Sequence, residues 1–458
     1  MDSQSVITRT ITVAGGVFAP GHLGELTQIV PFEMVDEVLT QTNTTQQRLR
    51  KLPSRVVVYL LLAAGLFAEI GYRGVWGKLI AGLDGLALPT PSTAALWQAR
   101  KRLGVAPLRA LFDLLRGPTP SPRSDGARWR GLLVTAIDGT TTQTPDSAGN
   151  HARWGRHTGG HGEAGYPHVR LLALVACGSR ALVDAVFGPL ARGENTLVHR
   201  LFRSLHAGMI VLLDRGFGSS NAVIAGIAGT GAQVLVRLKS NRRAPVLARY
   251  PDGSSLSVLG GVRVRVIEGE ITIATVSGRR TGVYRLATTL LDHHRYPALE
   301  IMKLYHHRWE IETVYLELKT TLLGNRVLRA HHPEGIAQEI YALLTVYQVL
   351  RIAITDATPG IDPTRASFTV ALHTARDCLI QAAGVIAGTV IDLVGSIGHR
   401  VLDNLLPPRR PRTCPRAVKR PLSRYAHQSL RIDRTTYKAT LKVSVCPGQS
   451  VLTTSGSP

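Results

Sequence analysis

Apolar and polar positions along this chain change rhythm three times. From residue 30 to 104 the apolar positions recur at helical spacing, first at Phe32, Val35, Val38 and Leu39. A twelve-residue apolar run from Val56 to Phe67 follows Pro53, a residue suited to a helix's first turn. The run then meets Glu69, and a bilayer span needs about 20 apolar residues. It therefore predicts a buried helix and no membrane segment. A further helix is predicted over Ser92 to Leu103, started by Pro91 and Ser92 and ending in Arg100, Lys101 and Arg102. A short basic helix after a Gly/Pro turn suits a helix-turn-helix, and equally a surface helix with solvated charges.

Residues 117–130, GPTPSPRSDGARWR, have the composition of a linker. Beyond them the apolar runs shorten. Leu132–Ile137, His168–Ala176, Leu182–Phe187, Met209–Leu213 and Gln233–Leu238 read as strands of a buried sheet. Residues 250–290 alternate, as in VRVRVIEGEITIATV, which predicts half-exposed antiparallel strands. Helical spacing returns over 298–353 and 366–402. The order predicts an α/β protein. A mainly helical region would span 1–116 and a mixed region of strands and helices 131–403. A basic tail would follow at 404–458. Residues 404–432 hold eight Lys or Arg and no Asp or Glu, a composition that can lie along phosphates or be merely solvated.

Charge narrows the class. The 458 residues carry 54 Lys and Arg against 31 Asp and Glu, a net charge of +23. That points to a polyanion, nucleic acid before an anionic membrane. A hydrophobic fraction of 44% is enough to build a core and excludes a wholly disordered chain. Cys177, Cys378, Cys414 and Cys446 stand apart without a CxxC pair, which argues against a zinc ribbon or a disulfide scaffold and for a reducing, cytoplasmic setting. The opening MDSQSVITRTITV lacks the basic and apolar regions of a signal peptide.

Two apolar runs, LLVTAID and MIVLLD, each end in an aspartate, Asp138 and Asp214. A carboxylate at the end of a buried strand stands at the rim of a sheet with its direction set by the strand. A third carboxylate lies in the helical segment LYHHRWEIETVYLELKTTL. At roughly 100° per residue, Tyr305, Arg308, Glu312 and Lys319 fall within an arc of roughly 60°. Leu304, Ile311, Leu318 and Leu322 form the adjoining core stripe, and Glu310 and Glu317 fall on the far face as solvated charges. Helix-surface ion pairs would explain such a stripe at about 0.3–0.5 kcal/mol each. Three carboxylates on a strand, a strand and a helix in so basic a chain also suit Mg²⁺, which takes one or two carboxylates plus phosphate oxygens. Two such ions about 4 Å apart serve phosphodiester cleavage or transfer. Trp309 falls at the edge of the stripe and reads as packing. His293, His294, His306 and His307 lack HExxH spacing and read as polar neighbours of a nucleic acid or as plain surface.

The spacing Tyr305-x2-Arg308-x3-Glu312-x6-Lys319 resembles the Y-R-E-K signature of the insertion-sequence-four family of DDE transposases. AIDGTTTQTPDS around Asp138 and VLLDRGFGS around Asp214 resemble its other two motifs. RKLPSRVVVYLLLAAGLFAEIGYRGVW is similar to its N-terminal domain, and the likeness covers roughly residues 25–425. The resemblance implies a ribonuclease-H-like mixed sheet flanked by helices. It implies Asp138, Asp214 and Glu312 as the catalytic, metal-binding triad, with two Mg²⁺ ions that Mn²⁺ can replace. Tyr305, Arg308 and Lys319 would contact transposon-end phosphates. Arg215, Arg237, Lys239, Arg242 and Arg243 are further DNA-contact candidates beside the second aspartate and the fifth strand. The implied activity is metal-dependent cleavage at terminal inverted repeats and 3′-OH strand transfer into target DNA by a homodimer on paired ends. The implied setting is the bacterial cytoplasm, at the nucleoid. The resemblance also implies that 1–116 binds DNA and that 131–403 is catalytic, with a β-rich insertion at about 226–296. Some relatives stack a flipped base on a Trp of that insertion, but no Trp lies between 155 and 308 here, so Tyr250, Tyr284 or another residue would substitute, or hairpin processing would differ. Two rival functions share the triad or the fold: a nuclease without strand transfer, and a transposase-derived DNA-binding regulator without catalysis.

Overall fold

The computed structural model describes residues 23–46, 48, 50–81, 88–119, 127–159, 162–275, 278–358, 360–382, 394–407, 412–413, 437–438 and 440–446. The expected irregular start, part of the 117–130 linker, residues 383–393 of the last helical stretch and most of the basic tail lie outside them. Helices α1 (Phe32–Gln41), α2 (Ser54–Leu66), α3 (Tyr72–Ile80), α4 (Thr93–Leu103) and α5 (Ala106–Leu115) build the N-terminal region. The sequence cues act as expected in α4. The Ser92 hydroxyl accepts the Ala95 N–H at 3.1 Å, and Gly104 ends the helix at φ +69°, where a side chain would be strained.

Strands β1 (Leu132–Gln143), β2 (His168–Ala176), β3 (Leu182–Pro189), β4 (Met209–Leu213) and β5 (Gln233–Arg237) lie in the order β3-β2-β1-β4-β5, with α6 (Asn221–Gly229) between the last two in the chain. β2 runs antiparallel to β1 and β3, whereas β4 and β5 are parallel to β1. This is a ribonuclease-H-like sheet. Strands β6 (Ser255–Leu259), β7 (Val262–Thr275) and β8 (Gly278–Thr288) extend it, because β8 pairs with β5. Since α6 and β5 belong to the core, the β-rich insertion starts after β5 and not at about residue 226. The segment expected to be one helix is divided: α7 (Ala298–Leu304), a 3-10 turn (Tyr305–Arg308), α8 (Trp309–Leu316) and a π-helical stretch (Glu317–Leu322). Then come α9 (Pro333–Ala357), α10 (Phe368–Ala382) and α11 (Val394–Asp403). Near the end of the chain β9 (Thr440–Val445) returns to pair antiparallel with β7, so this part of the expected tail completes the insertion's sheet.

Strand alternation sorts the two faces. Leu133, Ile137, Leu172, Leu174, Val211 and Leu213 share one core with Val223, Ile224 and Ile227 of α6 and with Leu197, Val198 and Leu201. Val134, Ala136, Leu171, Ala173 and Val175 face the other way and share one core with α8, α9 and the N-terminal helices. Among the described helices α9 is long and apolar enough to cross a membrane, yet most of it is buried between that face and α2. Every residue of α2 from Val56 to Leu66 is buried, each large side chain contributing about 1.5–3 kcal/mol. Gly65 permits the contact: a Cβ there would stand 3.2 Å from the Val346 side chain. The basic end of α4 is only partly outward. Arg100 is buried, its guanidinium 3.8 Å from the Tyr72 ring centroid and 3.6 Å from Glu339, so it is a packing residue and not a helix-turn-helix contact.

Candidate active site

The site begins where two parallel strands end side by side. Ile137 of β1 lies opposite Leu213 of β4, so Asp138 and Asp214 occupy matching positions one step further on. β4 stops there, while β1 continues alongside β2 to Gln143, leaving the β4 side of β1 open beyond Asp138. Each aspartate is oriented by backbone. Asp138 Oδ1 accepts the Gly139 N–H at 2.8 Å, and Asp214 Oδ1 accepts those of Gly216 at 2.7 Å and Phe217 at 3.3 Å.

The α7–α8 segment brings in the third carboxylate. Its apolar stripe behaves as the spacing predicts, with Leu304, Ile311, Leu318 and Leu322 buried. Arg308 then bridges two carboxylates, donating to Asp138 Oδ2 at 3.3 Å and to Glu312 Oε1 at 2.9 Å. Lys319 Nζ donates to Thr140 Oγ1 at 3.2 Å, two residues along β1 from Asp138 and on the same face. Tyr305 points inward: its ring is buried, and its hydroxyl donates to the Leu213 carbonyl at 3.0 Å. It braces the residue before Asp214 from behind. Tyr315 does the same for the other strand, donating to the Asp138 carbonyl at 2.6 Å while accepting the Ala173 N–H at 3.1 Å. Tyr315 stands outside the Tyr, Arg, Glu and Lys spacing, and its one signal in the sequence is its place on the helical wheel, at roughly 280° between the core and polar stripes.

Burial is the main reason the Asp138 carboxyl is pushed up to about 6. The Gly139 N–H and Arg308 oppose the rise, and the negative charges of Asp214 and Glu194 add to it. Arg308 is held above its ordinary value, since the surrounding Tyr305, Asp138 and Glu312 outweigh its burial. The site thus holds more negative charge than Arg308 offsets. Among the described residues no three His, Cys, Asp or Glu side chains form a ready-made metal cage. The paired aspartates, with Glu312 one arginine away, instead fit a hard cation that takes one or two carboxylates and fills its shell with water and phosphate oxygens.

The remaining predicted DNA contacts divide. Arg215, Lys239 and Arg243 are exposed beside the strand ends. Arg237 lies 3.8 Å over the Tyr284 ring, and both are electrostatic neighbours of Tyr305. Arg242 is committed to structure, donating to the Ser219 carbonyl at 2.6 Å and to the Asn221 side chain at the start of α6. Tyr250 stacks on His293 at 4.6 Å, so Tyr284 is the one of the two candidate aromatics near the carboxylates. Trp309, expected to pack, is 48% exposed. Glu310 and Glu317, expected in solvent, are instead ion-paired to Arg180.

The chain matches two family descriptions, "Insertion element 4 transposase N-terminal" over residues 20–113 and "Transposase DDE domain" over 129–349. It is 29% identical over 402 residues to the transposase InsG for insertion sequence element IS4 of Escherichia coli K12, covering 84% of this chain and 90% of that protein. It is also 29% identical over 197 residues to the putative transposase InsZ of the same organism, 43% of this chain and 64% of that one. A solved piggyBac transposase synaptic complex with hairpin DNA aligns with a TM-score of 0.41 and 11% identity over 88% of each chain.

Proposed function

Because the chain belongs to the insertion-sequence-four family of DDE transposases, we propose that it cuts DNA at the terminal inverted repeats of its own element and joins the freed 3′-OH to target DNA by cut and paste. Asp138, Asp214 and Glu312 are the catalytic, metal-holding residues of this reading. The observation that carries it is the matched register of Asp138 and Asp214, with Glu312 tied to Asp138 through Arg308.

The DDE domain implies a divalent metal. All-carboxylate donors favour Mg²⁺, in two ions that Mn²⁺ can replace. When bound, such ions offset phosphate charge and activate the attacking oxygen. The chain's own residues do the positioning. Gly139, Gly216 and Phe217 N–H groups aim the two aspartates, and Tyr305 and Tyr315 hold the strand ends that carry them. Arg308 offers its charge to an incoming phosphate at the point where Asp138 and Glu312 meet. Lys319 takes the next phosphate along β1, and Arg215, Arg237, Lys239 and Arg243 take the flanking backbone. Arg242 acts by fixing the loop that presents its neighbours. A homodimer on paired ends, working at the nucleoid in the cytoplasm, completes the proposal.

Incubating the protein with Mg²⁺ and DNA carrying its element's ends tests the reading. Nicking at the ends that Glu312→Gln abolishes, followed by joined products, is the expected result. Cuts without joining would identify a nuclease. Specific binding with no cleavage in Mg²⁺ or Mn²⁺ would identify a regulator.

A further inference from the structure

A second cluster of charges sits one turn beyond Glu312, and the cleavage chemistry does not use it. Glu317, on the first turn of the π-helical stretch, is 7% exposed. Its Oε1 accepts from Arg180 at 3.3 Å, and its Oε2 accepts from Tyr347 at 2.9 Å and from Arg351. Arg180 also donates to Glu310 at 2.7 Å, and Tyr347 lies between the two arginines, its single O–H shared between Glu317 and the Arg180 carbonyl at 3.1 Å while its oxygen accepts from Arg351 at 3.1 Å. Burial disfavours the Glu317 carboxylate, but Arg351 and Arg180 outweigh it and hold the group below its ordinary range.

Such a cluster is a poor way to gain stability. Well-packed apolar residues of similar volume often serve as well or better. Two buried nitrogens, Arg180 Nη2 and Arg351 Nη1, have no acceptor among the described residues. The cluster does coincide with a change of helical register. The Leu323 N–H reaches back five residues to the Leu318 carbonyl at 3.0 Å, the bonding of a π-helix. On a regular helix Glu317 falls on the far face from the core. Glu310, seven residues earlier on that same face, also reaches Arg180, so the cluster closes on the side that regular winding presents. The π register that begins at Glu317 acts on the residues after it, and Lys319, two residues on, comes over Thr140 beside Asp138.

We propose that Glu317, clamped by Arg351 and Arg180, is a positioning residue that holds the π register and thereby sets Lys319 at the phosphate next to the reacting one. The proposal rests on Lys319 being a phosphate contact, as in the reading above. π-Bulges are frequent at functional sites for this kind of reason: one underwound turn re-aims the residues after it.

The test is a double-mutant cycle on the full chain with element-end DNA. Glu317→Met with Arg351→Met removes the buried pair while roughly keeping volume. Glu317→Gln is the smaller change. Lys319→Met is made in each background and in the wild type. Cleavage rate, thermal midpoint and the salt dependence of end binding are read for all. Lys319→Met alone should cost about 10- to 100-fold in cleavage and lower the salt slope by about one phosphate contact. The Met pair should keep a wild-type midpoint, show the same two losses, and lose nothing more when Lys319→Met is added. A folded Met pair or Glu317→Gln variant that cleaves normally, with Lys319→Met still costing its full factor, overturns the positioning role alone. A silent Lys319→Met in the wild type overturns the phosphate-contact reading, and this proposal with it. Failure of both network variants to fold assigns the cluster to the fold and overturns the proposal.

Discussion

Two charge clusters lie on one helical segment, and they are built to opposite rules. The first joins Asp138, Arg308 and Glu312 at a strand end that is partly open, with side-chain exposures of 22%, 14% and 28%. Its charge is unbalanced, since Asp214 stands beside Asp138 and a single arginine bridges it to Glu312. The second joins Glu310 and Glu317 to Arg180 and Arg351, two charges against two, with both arginines almost sealed from solvent. An imbalanced, half-open cluster can exchange its partners when a cation and phosphates arrive. A balanced, buried one resists exchange, because any lost partner leaves a charge without solvent. Helix α8 and its π extension therefore have a fixed face and an exchangeable face.

The sharpest way to break the contrast is Arg351→Ala. It leaves the Glu317 carboxylate buried with a partner missing, and about 3–5 kcal/mol of stability should be lost in a denaturant titration. The open cluster should respond with the opposite sign. The Asp138 carboxyl is raised from 3.8 to about 6, so the folded state binds its proton more readily than the unfolded chain. The contribution of Asp138 to stability is thus fullest below about pH 4 and is lost as pH rises through about 6. Asp138→Asn should then raise stability at pH 7–8 by about 1–3 kcal/mol, with the gain shrinking as pH falls from 6 to 4, while abolishing cleavage. Melting curves at pH 4 and pH 7.5 check this, and a gain independent of pH would refute it. The same titration predicts that cleavage falls as pH drops below about 6, because a protonated Asp138 is a poor metal ligand. The smallest effect distinguishes the backing layer from the cluster itself. Tyr315→Phe removes the hydrogen bond to the Asp138 carbonyl and the acceptor of the Ala173 N–H, and should cost about 1–2 kcal/mol in stability. Unlike Arg351→Ala, it should lower the cleavage rate in a protein that remains folded.

Parts of this arrangement were legible in the chain because their causes are local. The Val56–Phe67 run formed the buried helix it predicts, ending at Leu66. Ser92 caps α4 as its residue type suggests. Asp138 and Asp214 were recognisable because an apolar run that ends in a carboxylate reads as a strand reaching a sheet's rim. The Leu304, Ile311, Leu318 and Leu322 stripe needed only helical periodicity. The misplacements have physical causes too. The wheel assumed one continuous α-helix, whereas a 3-10 turn precedes Trp309 and a π stretch begins at Glu317. A solvated glutamate on paper became a buried one. Tyr305 looked outward on the same wheel, yet its hydroxyl is used by the Leu213 carbonyl. Nothing in the sequence showed that Arg100 would lie on the Tyr72 ring or that Arg242 would donate to the Ser219 carbonyl, because a positive charge in a sequence does not reveal whether a ring or a carbonyl awaits it.

The chain by itself determined its periodicities, its caps, the two strand-end aspartates and a spacing of Tyr, Arg, Glu and Lys that suffices to point to a family. All of these depend on residues a few positions apart, where backbone geometry sets who meets whom. Only the tertiary structure decided that Tyr315 would support Asp138 from 177 residues away, that Glu317 would find Arg351 and Arg180, and that β9 would complete the sheet of the insertion. Those partners are chosen by packing. A buried polar group must find its complement wherever the fold brings one, and that choice leaves no periodic trace in the sequence.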